Sequence, residues 1–348
     1  MPTYTPAFVR SPRFVTQAGT AGQDTSCKIY IHNDPDAQPS TPTYTLSKPI
    51  PSTLITSCAY DISPYLREYI THTSFTEITS DTAAPVGEYC KCAVEMYLDG
   101  LLQTTAYFIG FNGYGYFEDD YNANLTMVSS TPTFLEQGNY QVSDTGGCGG
   151  LFYHDDQVVT WEAKYTDLVT GGTTTITLAN EVGYIPYLHS SYTTNGNSIQ
   201  IIRNSVNKGY YEFTPVCEGK YSVIDCDFVN RYGHWQRLVF FKANKKSMSM
   251  ENKEFNLMPP SINYDTSSNI RQSFNTNGKQ MITCNTGWVD EEYSEVMKQL
   301  LFSEKILLDG KPVKLAQKNI DLMTHLNDKT INYEMKFEYA NPMINNIQ

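Results

Sequence analysis

The sequence predicts a mainly β protein made of antiparallel β-sandwich-type domains, with one short and one longer packing helix. Three observations predict it: apolar and polar residues alternate with period two in segment after segment, Asp-Gly pairs punctuate the alternation, and helical periodicity is confined to two places. Residues 89–98 place Cys90, Cys92, Val94, Met96 and Leu98 on one face and Lys91, Ala93, Glu95 and Tyr97 on the other. Asp99-Gly100 and the strand-like run Leu101–Ile109 follow. Both central residues of a type I′ turn need φ > 0, which Asp-Gly tolerates, so the segment reads as a hairpin.

The same signal recurs at Asp309-Gly310, joining Lys305–Leu308 to Pro312–Leu315. A third hairpin is expected where Asn319–Met323 and the run Ile331, Tyr333, Met335, Phe337, Tyr339 flank Leu326-Asn327-Asp328-Lys329. In that last strand Asn332, Glu334, Lys336 and Glu338 alternate toward solvent, the pattern of an antiparallel sheet with one wet face. Further strands are expected at Cys27–His32, Thr43–Leu46, Gln157–Tyr165, Thr173–Leu178, Ser198–Arg203, Gly209–Thr214, Tyr221–Asp227 and His234–Lys242. Ser63-Pro64 reads as an N-cap and first-turn pair opening a short helix to about Ile70. A longer helix is expected from about Val289 to Phe302, with Asp290, Glu291 and Glu292 in its first turn and an apolar stripe of Tyr293, Val296, Met297, Leu300 and Leu301. Both helices read as scaffolding.

Composition shifts divide the chain into an extended N-terminal arm (1–24), an N-terminal β-domain (25–112), a middle β-domain (113–257) and a C-terminal β-hairpin plus helix unit (258–348). The arm carries Arg10, Arg13 and Phe14 but no periodicity. Residues 258–278 read as a polar, Pro- and Asn-rich connection. No 20–50-residue repeat is visible, which argues against propellers and solenoids.

Lys+Arg 25 against Asp+Glu 37 gives a net charge of −12, the wrong sign for binding through phosphate neutralisation, so nucleic acid is excluded as the expected partner. No apolar run approaches the length of a membrane span, and the N-terminus lacks the basic start and apolar stretch of a secretory signal, so neither membrane insertion nor secretion is expected. Charged residues make up only 18%, below the roughly 25% of ordinary soluble proteins, while aromatics reach 13%. The eight cysteines fit buried thiols; Cys90 and Cys92 share a strand face, and Cys217 and Cys226 stand where two strands can bring them together. None has a zinc-spaced partner, so no metal and no cofactor is expected.

The sequence contains no Gly-x-Ser-x-Gly, His-Glu-x-x-His or P-loop motif, and His32, His72, His154, His189, His234 and His325 are scattered, so no enzyme is expected and no catalytic residue is assigned. The paired acids Asp119-Asp120 and Asp155-Asp156 could serve glycoside hydrolysis, and Glu118, Asp119 or Asp120 could ligate calcium, but solvated loop acids are the plainer reading. Thr145–Gly150 has the composition of a phosphate cradle without the lysine or helix, and reads as a turn. The Gly/aromatic loop 110–124 supplies the candidates Tyr114, Tyr116, Phe117, Asp119 and Asp120. Aromatic enrichment marks interface cores, so a subunit contact is the first expectation and a glycan platform the second. The densest signature, Lys220–Lys242, holds a structural turn motif of Asn230, Arg231, Gly233 and Trp235, in which Gly233 and Asn230 are expected at positive φ and Arg231 beside Asp225 or Asp227.

This stretch, with Ser11-Pro12-Arg13-Phe14-Val15, Lys28-Ile29-Tyr30-Ile31, Pro42–Lys48 and the ending Leu326–Glu334 through Tyr339-Ala340 and Ile344–Ile347, resembles a family of structural virion proteins of tailed bacteriophages infecting Bacteroidetes, including flavobacterial and crAss-like groups. The resemblance covers about half the chain and carries over no catalytic residue. It implies a non-enzymatic tail, baseplate or collar component, made in the bacterial cytoplasm and located in the virion. The expected partners are other phage tail proteins and copies of this chain in a homo-oligomeric ring. A receptor- or glycan-binding virion module, contacting a host surface glycan, is the alternative.

Overall fold

The computed structural model describes residues 2–51, 54–119, 135–143, 149–154, 160–217, 220–258, 267, 269–291, 293–317, 319 and 330–344. Among the described residues the fold is mainly β, with several antiparallel sheets and two α-helices. The chain divides into two compact units: residues 1–217 with 227–238 and 295–304, and residues 218–226 with 239–294 and 305–348. Residues 1–217 therefore cluster together across the boundary expected at 112, and the second unit begins well before 258.

In the first unit a five-stranded sheet has the order β1 (Thr5–Phe8), β8 (Leu101–Phe111), β7 (Tyr89–Leu98), β3 (Asp24–His32), β4 (Tyr44–Pro49). Asp99 and Gly100 take φ of 48° and 79°, so the β7–β8 turn forms as expected. Cys90, Cys92, Val94 and Met96 are buried with Cys27, Ile29, Ile31 and Leu66 in one apolar cluster. The opposite face of β7 is also covered at its start, where Lys91 is held by Asp34 at 2.8 Å and Glu181 at 2.9 Å. β2 (Phe14–Ala18) pairs antiparallel with β5 (Ser57–Asp61). A three-stranded sheet has the order β10 (Gly150–His154), β13 (Val182–Pro186), β6 (Thr82–Ala83), and a second five-stranded sheet the order β12 (Thr173–Thr177), β11 (Trp161–Asp167), β14 (Asn197–Arg203), β15 (Val206–Val216), β9 (Gly138–Ser143).

The segment expected as an extended arm is instead part of this unit. β1 pairs parallel with β8, with Phe8 opposite Phe111, and both rings are fully buried. No alternation longer than a few residues announces so short a strand, and its partner lies a hundred residues away. Arg13 belongs here too: its backbone N–H donates to Asp61 and to Ser63 Oγ, and its guanidinium lies 5.1 Å from the Phe108 ring. Phe14 stays half exposed. Ser63 is not the N-cap of its helix. α1 (Ser63–Arg67) starts after Ile62 with no side-chain cap and stops short of Ile70, and the Ser63 hydroxyl is spent on Ser11 O at 2.7 Å.

A seven-stranded sheet has the order β17 (Trp235–Phe240), β16 (Ile224–Val229), β20 (Ile306–Leu308), β21 (Lys311–Leu315), β22 (Thr330–Tyr339), β19 (Arg271–Asp290), β18 (Lys245–Asn256); β18 to β22 lie in the second unit. The Asp309-Gly310 turn forms between β20 and β21, with φ of 47° and 72°. β22 alternates as expected, burying Ile331, Tyr333, Met335 and Phe337. The turn and first strand of the third expected hairpin lie outside the described residues. Residues 271–278, expected as connection, are the start of β19. The longer helix is α2 (Tyr293–Phe302), because β19 continues through Val289 to Asp290; its Val296, Met297 and Leu300 are buried as the stripe requires. Its residues from Glu295 on belong to the first unit and not, as expected, to a C-terminal one.

Candidate functional site

The residues singled out from the sequence converge in the first unit around the segment that follows β8. Gly113 gives its carbonyl to Arg10 N at 2.9 Å, Tyr114 N–H donates to Arg231 O at 2.8 Å, and Gly115 N–H to Ser11 Oγ at 2.7 Å. Two segments distant in sequence, at Arg10-Ser11 and at Arg231, thus clamp residues 113–115. Tyr114 is buried, its ring 4.6 Å from the Arg10 guanidinium and near the rings of Tyr116 and Phe302. Arg10 also donates from both terminal nitrogens to Phe302 O at 3.2 Å, where carbonyls at a helix C-terminus need partners.

Tyr116 lies in a nest of charge. Its hydroxyl donates to Glu295 at 2.6 Å, and its ring receives the Arg231 guanidinium at 4.4 Å and the Lys298 ammonium at 3.7 Å. Glu136 accepts from Tyr232 at 2.7 Å and lies 3.8 Å from Arg231, and Gln299 accepts from Arg231 N–H at 3.2 Å. Burial, and for Tyr116 also the Glu295 carboxylate, holds both phenols protonated: Tyr114 is pushed up to about 12 and Tyr116 further. Such phenols donate hydrogen bonds and supply rings to cations; they do not act as bases near neutrality. Tyr116→Phe removes a hydrogen bond to a carboxylate and is expected to lower stability by about 2 kcal/mol, read as a shift of the urea midpoint with unchanged slope.

Phe117 is different. It opens a one-turn 3-10 segment, Phe117–Asp119, and is 100% exposed beside an exposed Glu118. Asp120, Asp155 and Asp156 and most of the Gly-rich run 145–150 lie outside the described residues.

Asp227 is gripped by Arg237 at 2.7 and 2.9 Å, and Arg231 lies against Glu136 and the Tyr116 ring. Asn230 does not take positive φ either; its side-chain oxygen accepts from Tyr232 N and His234 N, closing the turn, while Gly233 has φ 87°. Trp235 is buried against His72 and Phe75.

Three of the scattered histidines, His72, His154 and His234, also meet in the first unit. His234 is wholly buried, stacked on Phe152 at 3.3 Å between centroids and edge-on to Phe111, which also faces His154; His72 Nε2 lies 3.0 Å from Gly233 O. Burial, reinforced by His72 and His154, holds His234 well below the usual imidazole range. Glu88, which nothing in the sequence marked, is buried beside the same elements. Tyr184 donates to it at 2.6 Å, yet burial pushes its carboxyl up to about 7. Among the described residues no group of three or more His, Cys, Asp or Glu is arranged to hold a metal ion.

No protein-family model and no curated protein matches the chain. Among solved structures it is similar to one described as the crystal structure of CBD12 from CALX1.2, at 9% identity over 57% of this chain and 77% of that chain, with a TM-score of 0.19. A likeness that weak supports no argument about fold or function. What remains is the geometry: charged groups engaged in ties within the chain, and one bare aromatic ring standing on a clamped loop.

Proposed function

We propose that this chain is a non-enzymatic virion structural protein of the tail, baseplate or collar, working through contacts with neighbouring subunits. The observation that supports this reading is Phe117, a fully exposed phenyl ring directly after a segment pinned by Arg10, Ser11 and Arg231. A large apolar side chain gains nothing in water, and a rigid base lowers the entropy lost when a neighbour covers it. The sequence resemblance supplies the class of assembly, and the engagement of Tyr116, Glu295 and Arg231 with one another accords with scaffolding instead of chemistry.

Tyr114 and Tyr116 are poor probes of this reading, since removing either ring disturbs the clamp itself. Phe117→Ser is the clean variant. It is expected to leave the melting temperature of the isolated chain unchanged while lowering its incorporation into purified particles at least tenfold, measured by quantitative mass spectrometry. Particles that hold normal amounts of the variant, or native particles without this chain, would sink the reading. The alternative, a glycan-binding module, is favoured by the exposed Glu118 beside the ring, since acid and aromatic face together suit a sugar. Phe117-dependent binding of the purified chain to host polysaccharide would bring that alternative forward.

A further inference from the structure

The largest exposed strand of the described residues lies in the second unit. All twelve residues of β18 are exposed, and among the described residues the strand ends its sheet, pairing with β19 on one side. Long free edges invite pairing with another strand, and proteins ordinarily shorten, bulge or cover them. Here the irregularity between Glu251 and Lys253 places the extra residue in β19, leaving β18 regular. Met248 and Met250 are 59% and 70% exposed on it.

The outward-pointing backbone can be identified. Gly278 lies opposite Met250 and gives its carbonyl to Met343 N at 3.0 Å, so Met250–Gly278 is the non-hydrogen-bonded kind of pair and the Met250 N–H and C=O face away from β19. Leu257 N–H donates to Ile270 O at 2.6 Å, so its neighbour Asn256 also faces away. With period two, residues 246, 248, 250, 252, 254 and 256 present their backbone groups at the free edge.

We propose that this edge pairs antiparallel with β18 of a second copy of this chain, in a two-fold register centred on Met250. A two-fold contact sets the same patch against itself, so outward residues must meet outward residues. Two such registers pair nearly the whole strand. The one centred on Glu251 sets that carboxylate against itself. The one centred on Met250 sets Met250 against Met250, Met248 against Asn252, and Lys246 against Glu254 twice over, all on one face. Glu254 already lies beside Arg271 and Glu251 beside Lys279 at 2.7 Å, so the acids are held in place along the ribbon. Lysines on an edge repel strands in general; a lysine that meets a glutamate only when the partner is its own copy selects that copy. This inference does not rest on the virion reading, and a monomeric result would leave Phe117 and particle incorporation untouched.

The test is sedimentation equilibrium of the full chain over a concentration series. The wild type is expected to show a reversible monomer–dimer equilibrium. Lys246→Glu and Glu254→Lys each set two like charges together twice and are expected to raise the dissociation constant at least tenfold, with circular dichroism unchanged. An equimolar mixture of the two variants restores both pairs and is expected to return to wild-type affinity as a heterodimer. A wild type that stays monomeric overturns the proposal. So does a dimer insensitive to either charge reversal, or a mixture that stays dissociated.

Discussion

Gly233→Ala is expected to be among the most destabilising single substitutions in the chain, costing about 4 kcal/mol. A β-carbon at position 233 would lie 2.4 Å from the backbone of both Asn112 and Gly113, and 2.5 Å from a second backbone atom of Asn112. No rotamer relieves a clash with main chain; the strand end that leads into the clamped 113–115 segment would have to withdraw. Withdrawal would stretch the Tyr114-to-Arg231 hydrogen bond, and the φ of 87° adds a strain of about 1 kcal/mol for any residue with a β-carbon. Gly100→Ala is the matched control, because Gly100 has φ 79° and nothing within 4 Å of the added carbon. It is expected to cost about 1 kcal/mol, the backbone strain alone. Guanidinium denaturation of both variants reads the difference. Equal losses would mean that the 112–113 segment moves aside without penalty and that the clamp is loose. Against a total stability of about 5–15 kcal/mol, the expected loss is visible at room temperature.

That turn shows how far local signals reach. Asn230-Arg231-Tyr232-Gly233 reads as a turn because its residue types need no information from elsewhere, and the Asp-Gly hairpins and the β7 and β22 alternations were legible for the same reason. The turn between β14 and β15 was harder, since Asn204 and Ser205 adopt positive φ without a glycine. What the sequence hid is long-range. The parallel pairs β1–β8 and β9–β15 join strands that no short connection links. β18 was missed because a strand that buries neither face carries no alternation. At the candidate site, Arg10, Tyr114, Tyr116 and Arg231 were all marked, but as separate features. An aromatic in a glycine-rich loop has the same local signature whether it stands in solvent, as Phe117 does, or fills its own chain, as Tyr114 does. Glu88 was beyond reach: a single glutamate becomes unusual only when folding takes its water away.

Glu88 and His234 are expected to oppose each other in the pH dependence of stability, and substituting either one should expose the other. Glu88 is buried with its pKa raised from the ordinary 4.5 to about 7. A raised acid keeps its proton in the folded state, so folding is favoured below the unfolded value and that contribution is lost as pH rises from 4.5 toward 7. The full loss is about 3 kcal/mol, from about 1.4 kcal/mol per unit. His234 is lowered, so the folded state refuses a proton that the unfolded chain accepts; its contribution is present above about 6.5 and is lost as pH falls. Between about 4.5 and 6.5 the folded state therefore holds its proton on Glu88 and the unfolded state on His234. The two contributions run in opposite directions with pH. Glu88→Gln leaves the histidine alone, and stability measured by urea titration should then climb with pH across that window at about 1.4 kcal/mol per unit relative to wild type. His234→Phe keeps a ring against Phe152 and leaves the acid alone, so relative to wild type stability should fall with pH across the same window. Because each comparison is a difference from wild type at the same pH, the remaining titrating groups drop out unless they contact the substituted side chain. His72 and His154 do act on His234, so the opposite signs of the two slopes are the decisive observation: two variants sloping the same way would show that the proton is shared among the histidines and never resides on Glu88.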